Sequence, residues 1–129
     1  MTDPIDAVHR FFDGLNASSL EEAAKNLVAN VTEDFVWQNT GLPTMNGAEA
    51  AAAFLLSFGD AMPMVGVTVD FIAIAAAGNV VVTERVDHMV DAAGNKLLSL
   101  PLAGTFEVAE DGRISAWRDY FDPRPLLGP

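Results

Sequence analysis

The sequence predicts an α+β domain in which N-terminal helices pack on a strongly curved β-sheet of mixed or antiparallel strands. Apolar residues recur at helical spacing early in the chain, at Val8, Phe11, Phe12 and Leu15. From Val65 onward the pattern changes to long alternating segments separated by glycine-containing turns. Helices followed by a run of strands favour segregated layers over alternating βαβ units. A length of 129 residues, 50% of them hydrophobic, suits a single domain over 1–129 with one core and an internal cavity.

The elements follow in order. Asp3-Pro4 is a helix start, because the aspartate caps free amides and proline suits the first turn. That helix runs to about Asn16. Ser18 or Ser19 caps a second helix, with Glu21 and Glu22 in its first turn where they favour the dipole, closing around Asn30. Phe35, Trp37 and Asn39 alternate outward from Asp34 as a short strand stopped by Gly41-Leu42-Pro43. Gly47 to about Phe58 is alanine-rich and helical. Val67 to Ala75, Asn79 to Val90, Lys96 to Val108 and Arg113 to Phe121 are strands of successive hairpins. Pro123-Arg124-Pro125 stops the last of them, and Leu126-Leu127 is placed to fold over the open end of the sheet.

Composition removes several classes of function. The formal charge of -11 opposes a nucleic-acid or anionic-membrane partner, since both require a positive field. The absence of cysteine excludes disulfides, thiolate chemistry and cysteine-based metal sites. Asp3-Pro4-Ile5-Asp6 offers no basic region leading to an apolar run, and no stretch has the length to span a bilayer. The expectation is a soluble cytoplasmic protein.

Chemistry points to two segments, Thr83-Glu84-Arg85-Val86-Asp87 and Trp117-Arg118-Asp119-Tyr120-Phe121-Asp122. Residues two apart share a strand face, so Arg85 and Asp87 point the same way as apolar Val81 and Met89. Asp119 shares its face with Trp117 and Phe121. Charges among large apolar neighbours are costly unless they are paired or used. Arg85 with Asp87 alone reads as an ordinary ion pair on a solvated face. Asp119, taken with the family resemblance that these two segments carry, tips the reading toward a functional site.

These residues carry a resemblance. Gln38-Asn39 with Leu42-Pro43, then Thr83-Glu84-Arg85-Val86-Asp87, Gly104-Thr105-Phe106, and Gly112-Arg113-Ile114 leading into Trp117 to Asp122 resemble the limonene-1,2-epoxide hydrolase family. That family lies within the wider group sharing the nuclear-transport-factor-2-like cone fold, and the likeness runs from about Ile5 to Asp122. The resemblance implies a cone with an internal pocket, a homodimer, a small apolar substrate, and no metal or organic cofactor. It also implies roles by position: Asp119 the base, Arg85 the bridging cation, Asp87 the acid and Asn39 the amide that holds the attacking water. The family's tyrosine does not carry over, because Trp37 stands in its place.

Opening an epoxide with water needs a base for the water and an acid for the departing oxygen, roles that two aspartates can divide. Arg85 is expected to hold Asp119 ionised while Asp87, in apolar surroundings, keeps a proton. One shared proton leaves the Asp-Arg-Asp cluster formally neutral, which lowers the cost of burial. A carboxylate can also attack as a nucleophile, and the resemblance favours direct attack by water. Trp37 supplies only an N–H, so it replaces a phenol where that donor reaches the water and otherwise fills the pocket. Two alternatives stand beside hydrolysis: isomerase or cyclase chemistry on a polycyclic ketone, and non-catalytic binding of an apolar ligand.

The remaining residues read more simply. Trp117, Phe121, Leu100, Leu102, Phe12, Leu15, Phe58 and Met62 are core or pocket wall. His9 and His88 read as exposed or boundary residues without the neighbours of a metal site. Asp70, Glu84, Glu107 and Asp122 read as solvated or interface charges. The outer sheet face, with Val82, Val86 and Tyr120 among Glu84 and Arg118, mixes apolar with charged groups as dimer interfaces do.

Overall fold

Apolar periodicity at the N-terminus becomes a helical layer in the computed structural model, which describes residues 3–127. Helix α1 (Pro4–Leu15) is capped by Asp3, whose Oδ1 accepts from the Ile5 amide at 2.9 Å. Ala7, Val8, Phe11, Phe12 and Leu15 form its buried stripe. Helix α2 (Leu20–Asn30) is capped by Ser19, which accepts from the Glu22 amide at 3.1 Å. Ser18 instead donates to the Glu22 carboxylate. Helix α3 (Ala48–Ser57) runs into a single 3₁₀ turn, Phe58–Asp60.

The strands are β1 (Val31–Asn39), β2 (Met45–Asn46), β3 (Gly66–Ala77), β4 (Val80–Val90), β5 (Lys96–Val108) and β6 (Ile114–Tyr120). They form one mixed sheet in the order β2-β1-β6-β5-β4-β3. Strands β3 to β6 are antiparallel neighbours, as the hairpin pattern requires. Strand β1 pairs parallel with β6, which sets Trp37 beside Trp117 and Asn39 beside Asp119. The sheet curls about the helices as an open cone, and side chains from both layers fill one core.

Three expectations need correction. Strand β1 begins at Val31, directly after α2, and not at Asp34: Val31 is buried and pairs with Ile114, while a register shift before Val36 hides the alternation. Strand β2 was not anticipated; its two residues form an antiparallel edge against Val36 and Trp37. His88 is buried at 6% exposure, because its ring lies between Ser99 Oγ at 2.7 Å and Asp70 Oδ2 at 2.8 Å on the outer face. After β6 the chain turns into a short helix, α4 (Arg124–Leu127). Leu126 lines the interior cavity, whereas Leu127 is exposed.

Candidate active site

Alternation on β4 and β6 turns Thr83, Arg85 and Asp87, together with Asp119, toward the inside of the cone, and all four are buried. Arg85 has no exposed surface at all. Its guanidinium donates from Nε to Asp87 Oδ1 at 2.9 Å and from Nη2 to Asp87 Oδ2 at 2.8 Å, a two-point grip on one carboxylate. Nη2 also donates to Asp119 Oδ2 at 2.9 Å. Nη1 donates to Thr83 Oγ1 at 2.9 Å. The rings of Phe12 and Phe106 lie 4.9 and 5.3 Å from the guanidinium carbon, so aromatic faces cover the charge that the carboxylates do not.

The cluster borders a largely apolar cavity. Asp87, Asp119 and Asn39 supply polar wall; Leu100, Leu102, Met89, Trp117 and Phe121 are among the rest. The cavity volume is about 50 Å³. Trp37 also lines it, stacked on Trp117 with ring centroids 4.5 Å apart and planes at 7°. Its Nε1 is buried and has no acceptor among the described residues. Asp119 Oδ1 likewise has no donor. Buried donors and acceptors left free beside a cavity can serve a water or a ligand oxygen.

All five residues singled out from the sequence therefore meet at one place. Arg85, Asp87 and Asp119 are bonded together, and Trp37 and Asn39 stand on the neighbouring strand at the same cavity. Two further residues touch the cluster and carried no individual role in the sequence reading. Thr83 holds the free side of Arg85, and Gly104 lies between β4 and β6 where a side chain would collide with Asp119. A signal existed for each. Thr83 shares the inner face of Arg85, and Gly104 interrupts the inner row Leu100, Leu102, Phe106, where a strand glycine marks close approach. Among the described residues no group of three or more His, Cys, Asp or Glu side chains is placed to hold a metal ion.

A sequence model of the limonene-1,2-epoxide hydrolase catalytic domain matches residues 2–128. The chain belongs to the limonene-1,2-epoxide hydrolase family. The epoxide hydrolase EphG of Mycobacterium tuberculosis is 33% identical over 116 residues, covering 90% of this chain and 71% of that protein. A solved epoxide hydrolase of the limonene-epoxide-hydrolase-like type from M. tuberculosis superposes with a TM-score of 0.72 at 31% identity, covering 96% of this chain and 81% of that one. An NTF2-like protein from Cytophaga hutchinsonii gives a TM-score of 0.70 at 21% identity, covering 98% and 96% of the two chains. That third likeness speaks for the fold.

In this limonene-1,2-epoxide hydrolase family member, burial and charge compete at Asp119. Burial pushes the Asp119 carboxyl up to about 6, against the pull of Arg85. Arg85 offsets the rise only in part, and a carboxyl near 6 is still ionised at neutral pH. Burial also works against the Arg85 charge, but the bonds and charges of Asp87 and Asp119 outweigh it and raise the guanidinium above its ordinary value.

The shift fixes a sign for stability. An unfolded Asp119 titrates near 3.8 and the folded one near 6, so between those values the folded chain keeps a proton that the unfolded chain has lost. The contribution is fully present below the lower value and is lost as pH rises through the upper one. Its size is about 3 kcal/mol. Denaturant melts at pH 4.5 and 7 are expected to show wild type losing stability relative to Asp119→Asn as pH rises. A difference that stays constant, or that grows in favour of wild type, would contradict a raised Asp119.

Proposed function

We propose that this chain is a cofactor-independent epoxide hydrolase that adds water to a small or medium apolar epoxide to give a vicinal diol, acting as a single domain. The observation that carries the reading is the bonded Asp87–Arg85–Asp119 cluster in the wall of an apolar cavity, with Asn39 beside Asp119. Asp119 takes a proton from water as the water oxygen attacks an epoxide carbon. The carbon–oxygen bond breaks, and Asp87 gives its proton to the departing oxygen. Asn39 receives the second hydrogen of the water at its side-chain carbonyl. Trp37 Nε1, a buried donor without an acceptor among the described residues, directs its hydrogen to the water oxygen.

A carboxyl near 6 suits this work, because it is ionised at neutral pH yet basic enough to accept a proton. Arg85 bonds to both carboxyl groups and keeps the cluster close to neutral as the proton moves from one side to the other. The apolar wall favours a hydrocarbon framework around the epoxide, and the modest cavity favours a compact one.

The test is turnover of cyclic and aryl epoxides in oxygen-18 water. Diol carrying one labelled oxygen is the expected product. An unlabelled rearranged ketone would indicate isomerisation instead, and tight binding of amides or alcohols with no turnover across the panel would indicate a ligand carrier. A homodimer belongs to the same proposal. Ile72, Val82, Leu97 and Tyr120 are large apolar residues left exposed, and Val82 and Tyr120 stand on the outer sheet face among Glu84 and Arg118. Sedimentation is expected to give twice the chain mass, and a monomer would remove this part.

A further inference from the structure

Arg85 stands on β4 and Asp119 on β6, with β5 running between them. Neighbouring strands are about 4.8 Å apart, so the guanidinium must cross roughly 10 Å of sheet to reach its second carboxylate. Gly104 lies on that path: it faces Thr83 in the register with β4 and Asp119 in the register with β6. A Cβ at this position would fall on Asp119 Oδ1 and lie 2.9 Å from both Arg85 Nη1 and the Arg118 carbonyl oxygen. Alanine here displaces one partner or the other.

Thr83 controls the other side of the guanidinium. Its hydroxyl donates to the Gly104 carbonyl at 2.9 Å, and a carbonyl can only accept, so the single hydroxyl hydrogen is committed. A lone pair then faces Arg85 Nη1 at 2.9 Å. The guanidinium is planar, so fixing Nη1 here and Nε at Asp87 determines where Nη2 points, between Asp87 and Asp119. Without the hydroxyl the plane can pivot on its two-point grip with Asp87, and the bond to Asp119 is the one that weakens.

We infer that Thr83 and Gly104 are positioning residues of the reaction: Gly104 is the opening through which Arg85 reaches Asp119, and Thr83 is the anchor that sets the angle of the guanidinium. The inference rests on the hydrolase reading for its effect on rate, and on the geometry alone for its effect on Asp119. The ionisable groups that bear on Asp119 are Arg85 and Asp87 from β4. Strand β5 offers Gly104 and Leu102 on the same face, and β1 offers the uncharged Asn39.

The experiment compares Thr83→Val, Thr83→Ser and Gly104→Ala with wild type, using carbon-13 NMR of the Asp119 carboxyl, assigned by its loss in Asp119→Asn, together with kcat and KM. Wild type and Thr83→Ser are expected to titrate alike, near 6. Thr83→Val is expected to move the midpoint up by roughly one pH unit as the Arg85 contact weakens. Its kcat falls about tenfold while KM stays within about twofold, since the cavity wall is untouched. Gly104→Ala shifts the midpoint further if it folds, and Thr83→Val carries the test if it does not. An unchanged Asp119 midpoint and kcat in Thr83→Val, with only a lower Tm, would overturn the inference. So would failure of Thr83→Ser to behave as wild type. A moved midpoint in a protein that hydrolyses no epoxide would sink the hydrolase reading and leave Thr83 as the anchor of Arg85.

Discussion

Asp119→Asn is expected to lower kcat/KM for diol formation about 1000-fold at pH 8, within the range general acid–base groups contribute. Asparagine keeps the shape of the side chain, and its carbonyl can still accept from Arg85 Nη2, so the loss isolates the ability to take a proton from water. The pH profile gives a second reading. Wild-type activity is expected to fall below about 6, where Asp119 becomes protonated, and the residual activity of the variant is expected to lack that limb. A variant retaining more than about a tenth of wild-type activity would remove Asp119 as the base. An acid limb that survives the substitution would assign it to another group.

Arg85→Met is expected to have the largest effect on stability. Arg85 is wholly buried and answers two buried carboxylates, and its removal leaves both without their cation. Breaking such a cluster from one side costs about 3–5 kcal/mol, which is a substantial fraction of the stability of a domain this size. Denaturant unfolding of the variant measures it directly. The companion variant combines Arg85→Met with Asp87→Asn and Asp119→Asn. Taking every charge out together removes the desolvation cost as well as the attraction, so this triple variant is expected to regain most of the lost stability while remaining inactive. A loss below about 1 kcal/mol in the single variant would mean that the carboxylates find other compensation.

Much of this site was legible because strands repeat at two residues. Arg85 and Asp87 had to share a face with Val81 and Met89, and Asp119 with Trp117, before any pairing was known. The helix caps were readable for a similar reason, since Asp3 and Ser19 act on amides two and three residues away. Contacts fixed by strand register were hidden. The parallel pairing of β1 with β6 sets Asn39 beside Asp119, and the two pairings of β5 set Gly104 between Thr83 and Asp119. No local pattern specifies which rows of a curled sheet align.

Burial was the other missing quantity. A sequence shows that Arg85 favours the ionised form of Asp119, but not how far solvent exclusion counters it, and so the rise of Asp119 to about 6 was not foreseen. His88 was misplaced for the same reason. Its position on the outer face followed from alternation, whereas the enclosure provided by Ser99 and Asp70 depends on the neighbouring strands. Trp37 was singled out through the family resemblance alone, and its stacking on Trp117 at the cavity again follows from the parallel register of β1 and β6.

Direct attack by water is the central claim, and a single-turnover reaction in oxygen-18 water tests it most directly, with enzyme in excess over epoxide. Direct attack puts the label into the diol formed in that first turnover and leaves the enzyme carboxyl groups unlabelled. An unlabelled first-turnover diol, with oxygen-18 recovered in the peptide carrying Asp119 or in that carrying Asp87, would establish a covalent carboxylate intermediate and contradict the proposed chemistry.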